Sequence, residues 1–241
     1  MGYKRPLFFI LTSYAILSFL SVQQSLYDLF YHSIHSCVIG NCINYKNSQY
    51  QGELYRSAST VDVKPLVSNK RISVESHSML SEDGQIISDW IFINEPNQIN
   101  VLVHEQSSDK FILFRQQKYA LPGINYAVLG GTIEGHEIDL DAAKRELKEE
   151  LQLQSNEWIP LGKYRVNVNR GEGNVSLFFA KNSTPLSNER MIENQLAFDE
   201  LEHQQKVRLT RNELTDLLLK GQIAEVKWSA CVALALLHLN K

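Results

Sequence analysis

The chain has 241 residues, of which 44% are hydrophobic and 21% charged, and its formal net charge is -3. This composition indicates a globular protein with a sizeable core, in one large domain or two small ones. A slightly acidic balance argues against a nucleic-acid-binding protein, so any recognition of phosphate must be local.

The first thirty residues differ from the rest of the chain. Lys4 and Arg5 form a basic start, and residues 6–22 are an uncharged, mostly apolar run. As a helix this run would be about 26 Å long, close to the thickness of a bilayer core. It predicts a hydrophobic signal or signal-anchor segment over residues 1–30, and a cleaved signal and an uncleaved anchor are equally compatible with it. A buried helix of a soluble protein is the alternative.

The basic start also predicts an orientation. Positive charge before an apolar run favours placing the rest of the chain on the non-cytoplasmic side of a membrane. We therefore expect a membrane-associated or secretory-pathway protein, with an organelle lumen or the cytoplasm as alternatives. Residues 31–69 are predicted to be a linker. Cys37 and Cys42 lie in this linker and could pair in an oxidising lumen, although the reduced state is equally compatible.

From Arg71 the chain becomes strand-like. Two hairpins are predicted, one with strands at 72–76 and 86–93 and one with strands at 100–104 and 110–114. Further strands are predicted at 164–168 and 175–179, and helices at 210–220 and 226–239. Strands interleaved with a few helices predict an α/β sandwich.

The segment between these strands is unusually acidic. Seven acidic residues lie in Glu134–Glu150, against three basic ones. A carboxylate cluster of this density is usually either disordered or a binder of cations. Apolar residues recur in it at helical spacing, which predicts a packed helix rather than disorder. These residues are Leu140, Ala143, Leu147 and Leu151.

Three carboxylates share one sector of this predicted helix. Glu146, Glu149 and Glu150 fall within about 100° of one another, beside the apolar stripe. They would repel one another in the bare protein and become favourable when they share a hard divalent ion. Mg²⁺ is the usual ion where a substrate phosphate supplies further oxygens, and Mn²⁺ is compatible. A surface helix with excess acid and no ligand is the alternative.

The residues just before the helix have predicted roles as well. Asp139 is expected to cap the helix N-terminus. Gly130 and Gly131 let the backbone fold tightly beside the helix. The Gly130 carbonyl is thereby a weaker candidate metal ligand.

Residues 131–153 resemble a Nudix box, whose pattern is G-x5-E-x7-R-E-U-x-E-E-x-G-U with U an aliphatic residue. The matching positions are Gly131, Glu137, Arg145, Glu146, Leu147, Glu149, Glu150 and Leu153. One position departs from the pattern, because the second glycine of the family is Gln152 here. That glycine ends the helix in a tight turn, so Gln152 is expected either to adopt a left-handed conformation or to extend the helix.

The flanking sequence resembles ADP-ribose and ADP-sugar pyrophosphatases of that superfamily. The resemblance covers roughly residues 70–240 and is carried by 111–119, 169–180, 200–202, 212–214 and 226–235. It implies a Nudix-type α/β/α sandwich with a mixed sheet, spanning residues 70–241, plus an N-terminal β-hairpin extension. In those enzymes such an extension serves dimer formation, so a homodimer is compatible with the sequence.

The resemblance implies an activity. A Mg²⁺-dependent hydrolase would split the diphosphate linkage of a nucleoside diphosphate sugar, ADP-ribose or an ADP-hexose, into AMP and a sugar phosphate. One alternative is a Nudix hydrolase acting on NADH, coenzyme A or a dinucleoside polyphosphate. Another is a catalytically silent nucleotide-sugar sensor, which would not need to retain every carboxylate of the Arg-Glu-x-x-Glu-Glu core.

Roles follow from the same resemblance. Glu146, Glu149 and Glu150 are the expected metal ligands. Arg145 is expected to pair with a carboxylate of the box and fix its rotamer, and Glu137 to be structural or a distal ligand. The base that activates water is expected on the loop before the last helices, at Glu200 or Glu202, which could equally be surface acids.

Four residues are predicted to bind substrate. Arg115 and Arg170 are candidates for holding phosphate oxygens, with a plain surface position as the alternative for each. Trp90 and Tyr119 are candidates for stacking on an adenine ring, although core packing is the commoner role of such side chains.

Overall fold

The computed structural model describes residues 59–186 and 204–240, and it places eleven strands and three helices there. In chain order they are β1 (Thr60–Ser68), β2 (Ser73–Leu80), β3 (Ile86–Asn94), β4 (Gln98–Glu105), β5 (Lys110–Gln116), β6 (Asn125–Ala127), β7 (Leu129–Thr132), α1 (Asp139–Leu151), β8 (Leu153–Gln154), β9 (Glu157–Asn167), β10 (Gly171–Pro185), β11 (Gln204–Leu209), α2 (Arg211–Leu219) and α3 (Val226–His238).

The strands form one mixed sheet in the order β1-β2-β3-β10-β4-β5-β11. β6 pairs with β5, β7 with β4, and β8 and β9 with β10. β10 runs parallel to β4, from Val175 opposite Gln98 to Ala180 opposite Val103, whereas both predicted hairpins are antiparallel. The long β10 therefore connects the N-terminal strands with the centre of the sheet. The predicted mixed sheet is confirmed.

Side chains that alternate along the central strands build two cores. In β4, Val101 and Val103 pack with α1 on one face, and Leu102 packs with α2 and α3 on the other. This alternation is what a strand buried on both faces requires. Since helices cover both faces of the sheet, the predicted α/β/α sandwich is confirmed.

The N-terminal extension is larger than the sequence predicts. The expected hairpin is present as β2 and β3, but β1 adds a third antiparallel strand within the stretch predicted to be a linker. Most residues of β1 are exposed, so the strand carries little of the alternation by which strands are recognised. Its backbone pairing with β2 defines it instead, and Pro65 is tolerated there because β1 ends the strand order.

The two ends of α1 settle two sequence predictions. The prediction that Asp139 is the N-cap is wrong, because Asp139 is the first helical residue. Ile138 occupies the cap position and makes no side-chain hydrogen bond there. At the other end, Gln152 takes the left-handed conformation, with φ of 56°, that the family glycine would favour. Its backbone N–H donates to the carbonyls of Leu147 and Lys148, so the helix ends where the pattern ends it.

Some predictions fall outside the described residues. Residues 1–58 are not described, and they include the apolar segment 1–30, Cys37 and Cys42. Membrane targeting by the segment and pairing of the two cysteines therefore stay predictions. Among the described residues, no helix is both long and apolar enough to span a bilayer.

Candidate active site

Arg145 is the centre of the acidic cluster. Its Nε and Nη2 donate to the two carboxylate oxygens of Glu137, each at 3.0 Å. Its Nη1 donates to Glu146 at 2.8 Å and to Glu149 at 3.1 Å. Nη2 also donates to the Thr132 carbonyl at 3.0 Å, which ties the helix to β7. One planar guanidinium thus sets the relative positions of three carboxylates.

Gly131 is required by the close approach of Glu146. A Cβ on Gly131 would lie 2.1 Å from Oε1 of Glu146, closer than any real contact. Gly130 has a similar constraint on β7, because a Cβ there would lie 2.6 Å from Nδ2 of Asn100. Neither glycine needs an unusual φ. Gly131 therefore lets the backbone lie close to the helix, as the sequence predicts, whereas Gly130 lies close to β4.

Burial and mutual repulsion set the electrostatics of the cluster. Desolvation raises the pKa of Glu146, against the lowering effect of Arg145. Desolvation, followed by the charge of Glu146, raises the pKa of Glu150 to about 7. Arg145 instead lowers the pKa of Glu137 through its hydrogen bonds. The ionised form is therefore favoured for Glu137 and disfavoured for Glu146 and Glu150.

Two lysines that the sequence reasoning missed act on Glu150. The charges of Lys118 and Lys206 both favour its ionised form. Lys206 lies on β11, opposite Phe114 of β5, and Lys118 lies two residues after the end of β5. Strand register brings Lys206 to the helix and the loop after β5 brings Lys118, so no local sequence pattern predicts either contact.

Asp139 anchors the start of α1 to the sheet. Its carboxylate accepts a hydrogen bond from the hydroxyl of Ser176 on β10 and pairs with Lys163 of β9 at 3.2 Å. Desolvation alone would raise the pKa of Asp139. The hydrogen bonds from Ser176 and Lys163 and the charge of Lys163 outweigh it, so the pKa is lowered. The residue predicted as a cap is therefore a tether that fixes the helix on the sheet.

Trp90 and Arg170 come together at another part of the sheet. The guanidinium carbon of Arg170 lies 5.5 Å from the Trp90 ring centroid. The indole Nε1 donates to the Asn169 carbonyl at 3.0 Å, and Arg170 Nη1 donates to the Ile91 carbonyl at 3.2 Å. Two of the four predicted substrate-binding residues are thus neighbours, joined across β3 and the β9–β10 turn.

The other predicted residues are scattered. Arg115 is half-buried on β5, opposite Tyr126 and Gln205, and Tyr119 is exposed in the loop after β5. Leu147 is fully buried and Leu153 nearly so, both in the core under α1. Glu200 and Glu202 lie outside the described residues.

A family model matches the sequence over most of the fold just described. The NUDIX domain model matches residues 95–229, more than half of the chain. The chain belongs to the NUDIX family. The match begins just after β3 and ends within α3, so it contains α1 and the whole Arg145 cluster.

A solved structure shares the fold of this chain. A crystal structure of an ADP compounds hydrolase is similar with a TM-score of 0.62 and 20% sequence identity. The similarity covers 78% of this chain and 97% of that chain. Identity at this level shows the shared fold alone. No curated protein matches the sequence.

The donor chemistry of the Nudix helix suits a hard divalent cation. Across residues 59–186 and 204–240, no three acidic, histidine or cysteine side chains are already gathered as a metal site. Arg145 instead occupies oxygens of Glu146 and Glu149. Carboxylate oxygens are nonetheless the ligands that Mg²⁺ prefers, and burial raises the pKa of Glu146 and of Glu150, so that a nearby cation would favour their ionised forms. The residues therefore fit such an ion.

Proposed function

We propose that the protein is a Mg²⁺-dependent hydrolase that splits the diphosphate linkage of a nucleoside diphosphate sugar. ADP-ribose or an ADP-hexose would give AMP and a sugar phosphate. The observation that carries the proposal is the Arg145-centred carboxylate cluster on α1 of a Nudix domain. An ADP-containing substrate is supported by the sequence resemblance described above and by the fold shared with an ADP compounds hydrolase.

Glu146, Glu149 and Glu150 are the side chains that would hold the metal ion, with the Gly130 carbonyl as a weaker candidate. When bound, the ion would neutralise the diphosphate and stabilise charge that develops as a P–O bond breaks. Burial raises the pKa of Glu146 and of Glu150, and the charge of Glu149 raises both further. A cation would favour the ionised forms of the two carboxyl groups, which supports placing the ion beside them.

Arg145 acts as a positioning residue in this proposal. Its two hydrogen bonds to Glu137 fix the plane of the guanidinium, and the remaining nitrogen then orients Glu146 and Glu149. A planar, permanently charged group suits this duty better than a flexible ammonium. Glu137 supports the arrangement from the loop before the helix.

Glu200 or Glu202 is the proposed general base. One of these carboxylates would take a proton from the attacking water as that water forms a bond to phosphorus and the bridging P–O bond breaks. Both residues directly precede β11 in sequence, and β11 carries Lys206, whose charge acts on Glu150. This position along the chain supports the assignment.

Residues outside the carboxylate cluster are proposed to hold the substrate. The Arg170 guanidinium, already stacked near Trp90, is proposed to bind phosphate oxygens, and the Trp90 indole to stack on the base. Arg115 and Tyr119 are proposed for the same two duties on the β5 side.

Metal dependence is the primary test. We expect EDTA to abolish release of AMP from ADP-ribose, and Mg²⁺ or Mn²⁺ to restore it. Glu149→Gln and Glu150→Gln should each lower kcat by orders of magnitude without unfolding the protein, because less like-charge repulsion remains. Glu157→Gln is the matched control, since the Glu157 carboxylate bonds to Lys181 and Asn182 on β9 and β10, away from the Arg145 cluster. Full activity of Glu150→Gln without metal would refute the mechanism.

The proposed base has a separate test. Glu200→Gln or Glu202→Gln should lower kcat with nearly unchanged binding of ADP-ribose, the pattern of a group that acts in the transition state. Single-turnover rates and the Kd measured in EDTA separate the two quantities. Wild-type turnover in both single variants and in the double variant would exclude both residues and turn attention to Glu172.

A further inference from the structure

A buried asparagine on the face of the sheet that carries the Nudix helix has a side-chain amide without hydrogen bonds in the described part of the chain. Asn125, the first residue of β6, is only 2% exposed. Within the described part of the chain, neither its Oδ1 nor its Nδ2 has a hydrogen-bond partner. Burying an amide in this way costs free energy, and nearly all buried polar groups avoid it. The exception calls for a partner from outside the described part of the chain.

Strand register places this amide on the face of the sheet that carries α1. Asn125 pairs with Gln116 of β5, and the next row pairs Phe114 with Ala127. Phe114 and Ala127 both belong to the core under α1, whereas Tyr126 packs against the opposite core. Because side chains alternate along a strand, Asn125 shares the face of Ala127.

Two lysines near the Gln116–Asn125 pair act on Glu150, at the C-terminal end of α1. Electrostatic interactions join Glu150 to Lys206 and to Lys118. Lys206 lies opposite Phe114, one row before Gln116, and Lys118 follows Gln116 by two residues. The two lysines therefore bracket the row that holds Asn125. The Asn125 amide and Lys206, whose charge acts on Glu150, therefore lie on neighbouring rows of the same face of the sheet.

We propose that Asn125 is a substrate-binding residue, whose amide takes a neighbouring donor and acceptor of the substrate. This inference rests on the proposed function and deepens it. A phosphate oxygen only accepts hydrogen bonds and would leave Oδ1 open, and a metal ion would leave Nδ2 open. The hydroxyls of a sugar or the edge of a nucleobase present both kinds of group. Asn125 would thus distinguish substrates by their neutral part.

Asn125→Leu tests this assignment, because leucine is similar in size and cannot form hydrogen bonds. We expect KM for ADP-ribose to rise about tenfold, while kcat changes less than about threefold. The thermal midpoint of the free protein should stay equal or rise, because an unpartnered buried amide has been removed. Asn125→Ala should show the same rise in KM if leucine does not fit.

Asn94→Leu is the matched control. Asn94 is also buried, at 1% exposure, but its Nδ2 donates to the hydroxyl of Ser73 at 3.2 Å. The same substitution there breaks a satisfied pair, so it should lower the thermal midpoint and leave the KM of the folded protein unchanged.

Two product fragments locate the contact on the substrate. AMP carries the nucleobase half, and ribose 5-phosphate carries the terminal sugar, so each is tested as a competitive inhibitor. A weaker inhibition by AMP alone in Asn125→Leu assigns the amide to the adenosine half. A weaker inhibition by ribose 5-phosphate alone assigns it to the terminal sugar.

The outcomes separate this inference from the proposed function. A wild-type protein that neither binds nor hydrolyses nucleoside diphosphate sugars overturns both. An active wild type with unchanged KM in Asn125→Leu and Asn125→Ala overturns the inference alone. In that case a loss of thermal stability matching Asn94→Leu would show that Asn125 has its partner inside the protein.

Discussion

At the scale of single residues, the sequence identifies charges better than contacts. The Nudix spacing is sufficient to predict that Arg145 pairs with a carboxylate of the box, and it pairs with Glu137, Glu146 and Glu149. Its contact with Glu137 comes from eight residues away. Lys206 and Asn125 join the same region only through strand register, which a single sequence does not reveal. The sequence therefore predicts contacts between residues close along the chain and misses those that depend on tertiary structure.

Gly131 offers a test at the residue scale. Gly131→Ala would place a Cβ 2.1 Å from Oε1 of Glu146, so the carboxylate must move. We expect kcat for ADP-ribose to fall by at least about tenfold, because small displacements of catalytic groups have large effects on rate. The variant should remain folded, as judged by circular dichroism.

Gly135→Ala is the contrasting variant, in the loop that follows β7. Apart from its two chain neighbours, no described residue has an atom within 4 Å of the added Cβ, but the φ of +53° disfavours alanine. It should lose about 1 kcal/mol of stability and keep its kcat. If Gly131→Ala showed that same pattern, close approach to Glu146 would not be the reason for the glycine.

At the scale of elements, long and buried segments were predicted and short or exposed ones were not. The helices of residues 139–151, 211–219 and 226–238 and both hairpins follow from periodicity and turn residues. The edge strands β1 and β11 are mostly exposed, and β6 to β8 have between two and four residues each. Strands this short or this exposed carry no period, so backbone pairing alone defines them.

The edge strand β11 is held by an ion pair with a clear dependence on pH. Arg208 donates to the two carboxylate oxygens of Glu105 at 2.7 and 2.9 Å, and Ser108 donates at 2.6 Å. The hydrogen bonds from Arg208 lead in lowering the pKa of Glu105 to about 2. The carboxylate therefore stabilises the fold above the ordinary carboxyl pKa of 4.5, and this contribution is lost as pH falls towards 2.

Glu105→Gln should remove that dependence. We expect it to lower the free energy of unfolding at pH 7 by about 1 kcal/mol, since Arg208 is half-exposed and its charge is screened. The slope of stability against pH between about 4.5 and 2 should also flatten relative to the wild type. Asp141→Asn is the control, because Asp141 and Lys144 form an exposed pair at 3.5 Å. Equal slopes for wild type and Glu105→Gln in urea titrations would contradict the role of this pair.

At the scale of the whole molecule, the chain extends beyond its Nudix match. The strands β1 to β3 precede residue 95, where the match begins, yet Trp90 of β3 donates to the turn between β9 and β10. Gly171, in turn, pairs with Ile93, so the extension and the Nudix sheet share backbone hydrogen bonds. The extension is therefore a continuation of the sheet and carries one of the proposed substrate-binding residues.

The N-terminal segment leads to the last prediction, which concerns location. The apolar run 6–22 after Lys4 and Arg5 predicts that the full-length protein fractionates with membranes, or appears shortened in the secretory pathway. A chain without residues 1–30 should be released from membranes and still hydrolyse ADP-ribose, since every proposed site residue lies at or after Trp90. Full-length Glu150→Gln should fractionate like the wild type while inactive, which separates targeting from catalysis. An uncleaved full-length chain found wholly in the cytosol, released without detergent, would refute the targeting prediction and leave the proposed hydrolase unaffected.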